Sequence, residues 1–151
     1  MRQSSKRAAF TLIELLVVVI IVAILAAVGI PLLSANIIRA KASEADAGLG
    51  TLRTGMRAYI AEHVTFPATK PAITDLGINL TDLDGRYFDN AAYSVITATS
   101  GGTSYCLGVD GAKSGAPRKN EINSGTNLVQ HAMDQDGNIY KNTACSGTLI
   151  N

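Results

Sequence analysis

Glu14 is the only charged residue between Arg7 and Arg39, and its surroundings make a carboxylate expensive. The run FTLIELLVVVIIVAILAAVGIP over residues 10–31 is apolar enough to enter a bilayer, where an ionisable side chain at the midplane costs about 2.5–3.5 kcal/mol on insertion scales. The charge must therefore lie near the interface or have a partner. Few other residues offer chemistry. His63 and His131 lie far apart and have no ligand spacing with each other or with Cys106 and Cys145, which argues against a zinc site; both read as surface or packing histidines. The stretch DQDGN at 134–138 places two carboxylates ahead of a glycine, but an EF-hand loop needs a bidentate Glu at its twelfth position, and that position is Cys145. It reads as a turn. Lys113, Arg118 and Lys119 could meet a phosphate or an acidic surface, although a solvated loop is the default. Asn79-Leu80-Thr81 matches the glycosylation sequon, a signal short enough to arise by chance. No Ser-His-Asp set, phosphate-binding glycine loop or nucleotide fingerprint can be assembled, so neither an enzyme nor a cofactor or metal is expected.

These residues need elements to hold them. A chain of 151 residues has room for one ordinary domain and an anchor. The 13 Lys and Arg against 12 Asp and Glu leave a net charge of +1, so there is no overall electrostatic footprint for nucleic acid, and only a local patch is left open. As a helix, residues 10–33 would extend about 36 Å and cross a hydrocarbon core of about 30 Å. Arg2, Lys6 and Arg7 precede it, whereas Arg39 and Lys41 beyond it are offset by Glu44 and Asp46. That bias favours a cytoplasmic N-terminus with the bulk exported. Cys106 and Cys145 then occupy a compartment in which a disulfide persists; closing a loop of roughly 40 residues would add about 4 kcal/mol in the chain-entropy account. Two free buried thiols are the alternative.

Gly29-Ile30-Pro31 should kink or locally melt the helix. Beyond it, Ile38, Ala42, Ala45, Leu49, Leu52, Met56 and Tyr59 recur at alternating spacings of four and three, one stripe of a continuing helix. Arg39, Glu44, Asp46, Arg57 and Glu62 fall off that stripe. Gly48, Gly50 and Gly55 each cost about 1 kcal/mol against Ala in a helix, so the segment depends on packing. After Pro67, YSVIT (93–97), SYCLGV (104–109), NLVQHAM (127–133) and NIYK (138–141) are short β-prone runs. Residues 99–102 and 134–137 make hairpin connections, and the polar run over 110–125 reads as a surface loop. In the second strand Tyr105, Leu107 and Val109 share one face, the core side, and Cys106 points to the other.

The stretch Lys6-Arg7-Ala8-Ala9-Phe10-Thr11-Leu12-Ile13-Glu14-Leu15, followed by the apolar run and Pro31, resembles the N-terminus of type IV prepilins and type II secretion pseudopilins. A basic leader, a small residue before Phe and a glutamate one turn later carry the likeness over the first third of the chain. It implies cleavage between Ala9 and Phe10 by a membrane prepilin peptidase, N-methylation of Phe10, and assembly into a homo-oligomeric filament involving Phe10, Glu14 and Pro31. The family usually has Gly before the Phe; here it is Ala9, also small. The resemblance further implies that Glu14 pairs with the amine of a neighbouring subunit's Phe10, which removes the cost of an unpaired charge in an apolar bundle.

The expected fold is α+β: a long N-terminal helix, apolar in its first half and amphipathic in its second, on an antiparallel sheet of three or four strands. Its divisions are a leader (1–9), a membrane and filament-core half-helix (10–33), an amphipathic half-helix (34–66) and a β region (67–151) with a Cys106–Cys145 bridge. The expected role is structural, as a pilin held in the inner membrane as precursor and built by assembly machinery into an extracellular pilus. A periplasmic pseudopilus subunit is the alternative, and a membrane-anchored binding module that never polymerises is another.

Overall fold

The computed structural model describes residues 10–123, 125 and 128–150. The leader expected over 1–9, with Ala9, and the start of the third expected strand at Asn127 lie outside the described residues, as does the side chain of Pro31. The chain divides into two compact units at Ile37 and Ile38, and each has its own character.

The first unit is the apolar part of helix α1 (Leu12–His63). Helical geometry continues through Gly29, Ile30 and Pro31, so the local melting expected there does not occur. A proline forfeits its own amide bond, but the bonds on either side still propagate the helix.

The second unit holds the hydrophobic core. Ala45, Leu49, Leu52 and Met56 of α1 are completely buried, with Ile38, Ala42, Tyr59 and Ile60 packed partly against them. This is the stripe that the spacing of the apolar residues implies, broadened by Ile60. It packs into one core with an antiparallel sheet of four strands in the order β1 (Tyr93–Ala98), β2 (Tyr105–Asp110), β3 (Gln130–Asp134) and β4 (Ile139–Tyr140). In β2, Tyr105, Leu107 and Val109 belong to the core, as period-two alternation requires. Leu107 lies opposite Val95 of β1 and Met133 of β3. The register of β1 shifts between Val95 and Thr97. The extra residue, Ile96, lies over Gly108, where an added Cβ would come 2.4 Å from its Cδ1.

Two stretches depart from the expected pattern. Residues 64–92, which carry no clear periodicity, supply Phe66, Leu76, Leu83, Phe88 and Ala92 to the core, with Leu76, Leu83 and Ala92 held on short 3-10 turns. The run over 110–125 is not simply a solvated loop: Ile122 is completely buried and Ala116 nearly so. One apolar anchor in a polar stretch has no period to reveal it.

Polar residues of α1 fasten these segments. A Glu44 Oε1 accepts the N–H groups of Tyr87 and Phe88, both at 2.8 Å, satisfying amides beside the fully buried Phe88 ring. Asp46 Oδ1 lies 2.6 Å from His131 Nδ1 on β3, and the Arg53 guanidinium donates to the Gln135 carbonyl. These contacts answer for two residues that fell off the apolar stripe.

The helix glycines separate by what surrounds them. A Cβ on Gly48 would sit 2.3 Å from the Tyr93 hydroxyl, whereas nothing lies within 4 Å of one on Gly50. Gly50→Ala should therefore stabilise the chain by about 0.5–1 kcal/mol through helix propensity alone. Gly48→Ala should destabilise it, because overpacking costs about 1–3 kcal/mol and outweighs the same gain. Thermal unfolding of the two variants in detergent checks this; midpoints moving in the same direction would contradict the close approach of Tyr93 to α1.

Candidate assembly site

The first turn of α1 is built around Thr11 and Glu14. Thr11 donates to Glu14 Oε2 twice, from its backbone N–H at 3.0 Å and from its hydroxyl at 2.7 Å. In return the Glu14 N–H donates to the Thr11 hydroxyl at 3.3 Å. With Leu12 as the first helical residue, this is a reciprocal capping box, which satisfies amides that a helix start otherwise leaves open. The carboxylate also sits at the positive end of the helix dipole, where negative charge is favoured. Glu14 thus has a hydrogen-bond partner within its own chain, although a neutral one. The signal was present in the sequence as Thr-x-x-Glu ahead of an apolar run, the spacing that defines the box.

Both hydrogen bonds fall on Oε2, and Oε1 has no hydrogen-bond partner among the described residues. Phe10, Ile13, Glu14, Val17 and Val18 line a shallow, open groove of about 410 Å³, and Phe10 is 80% exposed. Every large apolar side chain from Leu12 to Ile37 is exposed, the least of them Ile37 at 44%. A helical stretch that is apolar all round and, among the described residues, buries none of that surface needs an apolar surrounding, lipid or other helices. By length and composition it can cross a membrane.

The remaining candidates lie in the second unit. Cys106 and Cys145 form a disulfide with a Cα–Cα distance of 5.8 Å, tying β2 to the segment after β4. That segment folds back, the Lys141 N–H donating to the Thr148 carbonyl and the Ile150 N–H to the Ile139 carbonyl. His131 is buried against Asp46, and His63 stacks on Tyr59 with ring centroids 4.2 Å apart. Asp134 organises the turn into β4. It accepts from the N–H groups of Asp136, Gly137 and Asn138, from the Asn138 amide and from the Tyr140 hydroxyl. Burial works to raise its pKa, but the hydrogen bonds from Asn138, Tyr140 and Asp136 outweigh it and hold the carboxyl below its usual value. Arg118 pairs with Glu121, which also takes Lys41 at 2.6 Å, so that part of the loop is tied to α1. Lys113 and Lys119 are exposed. Asn79 is exposed and accepts the Thr81 N–H at 3.2 Å, capping its own turn. Among the described residues no group of three metal-ligating side chains occurs.

An apolar N-terminal helix opened by a capped glutamate, and a disulfide-closed unit in which the rest of that helix packs on an antiparallel sheet, define a pilin-like architecture. Residues 4–30 match the family described as the prokaryotic N-terminal methylation motif. The chain is 34% identical to fimbrial protein EcpC of Eikenella corrodens, covering 68% of each protein. It is 33% identical to a fimbrial protein of Neisseria meningitidis over 86% of this chain and 68% of that one. The type IV wide pilus major component PilA4 of Thermus thermophilus is 35% identical over 65% of this chain and 69% of that protein. No solved structure matches significantly. The chain belongs to the type IV pilin family, a family of structural proteins.

Proposed function

We propose that this chain is the structural subunit of a type IV pilus. A membrane prepilin peptidase cleaves it between Ala9 and Phe10, Phe10 is N-methylated, and the subunit waits in the inner membrane with residues 10–33 in lipid. Assembly machinery then transfers that helix from lipid to a bundle of identical helices in an extracellular filament. One apolar surface serves both states, because lipid tails and apolar side chains solvate it alike. Residues 34–151 form the outer part, with Pro31 at the end of the bundle-forming stretch. The names of the relatives, all fimbrial or pilus proteins, favour a pilus over a secretion pseudopilus.

The observation that carries this reading is the state of Glu14: the one carboxylate of the exposed apolar stretch over 10–33, anchored through Oε2 by Thr11, with no partner on Oε1 among the described residues. Cleavage creates an amine at Phe10, and in a staggered bundle a neighbour's amine can reach Oε1 while the cap keeps the carboxylate oriented. The pair would neutralise both charges in a medium of low dielectric.

Processing is the direct test. Intact-mass analysis and N-terminal sequencing of the chain from its native host should give a mature protein starting at N-methylated Phe10. A chain that retains Met1, or one that begins beyond Ala27, would overturn the reading.

A further inference from the structure

We propose that Lys70 blocks the free edge of the sheet, where β1 of a second copy of this chain would otherwise pair with β1. The strand order leaves β1 and β4 at the two edges, and the chain finishes them differently. Along β4 the C-terminal segment folds back: Tyr140 bridges Leu149, the Ile150 N–H donates to the Ile139 carbonyl, and the Cys106–Cys145 disulfide ties the return to β2. Along β1, among the described residues, no backbone group from outside the sheet bonds to residues 94–97. What reaches them is one side chain. Lys70 Nζ donates to the Val95 carbonyl at 2.7 Å and reaches the Ile96 carbonyl at 3.5 Å. The register of β1 shifts between Val95 and Thr97, so a single ammonium spans the irregularity.

An edge strand offers the row of open donors and acceptors that another strand needs, and natural sheets close such edges with lysines, prolines and bulges. All three occur here. The irregularity lies in β1 itself, Lys70 stands on its carbonyls, and Pro67 and Pro71 on either side of Lys70 have no N–H with which to extend the ladder. Lys70 enters none of the ion pairs of the described residues, so no carboxylate among them draws the ammonium off the edge. An approaching strand must displace it, giving up charge-assisted hydrogen bonds, or bury it between two backbones as a desolvated charge. The partner so excluded is a second β1, because an isologous pair about a two-fold axis needs only the surface that each copy already presents. The exposed apolar stretch of α1 gathers copies in any apolar phase, which brings edge and edge together at high local concentration.

The test is light scattering from the full-length chain in detergent micelles, which gives the number of chains per particle across a concentration range. Lys70→Ser removes the ammonium without adding apolar surface, and it should associate at a chain concentration about tenfold below that of the parent, the factor that a charge-assisted contact is worth. Association through α1 is common to both chains and cancels in the comparison. In the associated variant the amides of β1 should exchange hydrogen about tenfold more slowly than in the parent, because β1 is then an interior strand. Ser94→Lys added to Lys70→Ser should restore parental behaviour: Ser94 is exposed on β1, and two-fold pairing would bring the new lysines of both copies onto one face of the joined strands. Lys70→Ser that associates like the parent would overturn the proposal. So would association that leaves exchange at β1 unchanged or that Ser94→Lys does not reverse, since the new contact would then lie elsewhere or stem from lost folding.

Discussion

Glu14→Val should abolish filaments while leaving processing and membrane residence intact. The substitution removes the only charged residue between Arg7 and Arg39 from a stretch already apolar enough to insert, and the peptide bond between Ala9 and Phe10 is untouched. Two losses follow, of unequal size. Removing the N-terminal cap bonds from Thr11 costs about 1 kcal/mol. Leaving a neighbour's Phe10 amine unpaired in an apolar bundle costs about 3–5 kcal/mol, and it recurs at every subunit. Glu14→Gln tells the two apart, because an amide oxygen can still accept from Thr11 yet carries no charge for the amine. Both variants should give mature subunits in the membrane fraction and few or no filaments when either is the only subunit. Wild-type yields from Glu14→Gln with failure only in Glu14→Val would mean that the cap, and not the ion pair, is what assembly needs.

Leu107→Ala should lower the stability of the chain by about 2–5 kcal/mol. Leu107 is completely buried, sits in a central strand and faces Val95 and Met133 on its two neighbours. Truncation would leave a void that cannot close without shifting the sheet or α1. The measurement is denaturant unfolding with Cys106–Cys145 oxidised in parent and variant alike, so that the disulfide's constraint on the unfolded chain is common to both. An unchanged midpoint would show that the side chain does not fill the core.

The parts of this protein legible in its sequence are those governed by short-range period. Leu49, Leu52 and Met56 recur as a helix face must, and Tyr105, Leu107 and Val109 alternate as one face of a strand must; both sets lie in the core. The hairpin glycines Gly101 and Gly137 have φ of 70° and 93°, the left-handed conformations for which tight turns select glycine. The rest is set by long-range contact. Glu44 reads as a solvated charge until the amides of Tyr87 and Phe88 are seen to need an acceptor. Ile122 reads as part of a polar loop because its neighbours in sequence are not its neighbours in space. Thr11 is a different case: Thr-x-x-Glu is a local signal, and the box it forms with Glu14 needs no contact from outside the first turn.

The central claim is that this chain polymerises through its N-terminal helix, and peptide mass analysis of filaments sheared from the cell surface tests it most directly. The expected result is filaments whose principal protein is this chain, with N-terminal peptides beginning at N-methylated Phe10. Filaments that lack it, or a chain confined to the membrane fraction while filaments are made from other subunits, would contradict the claim.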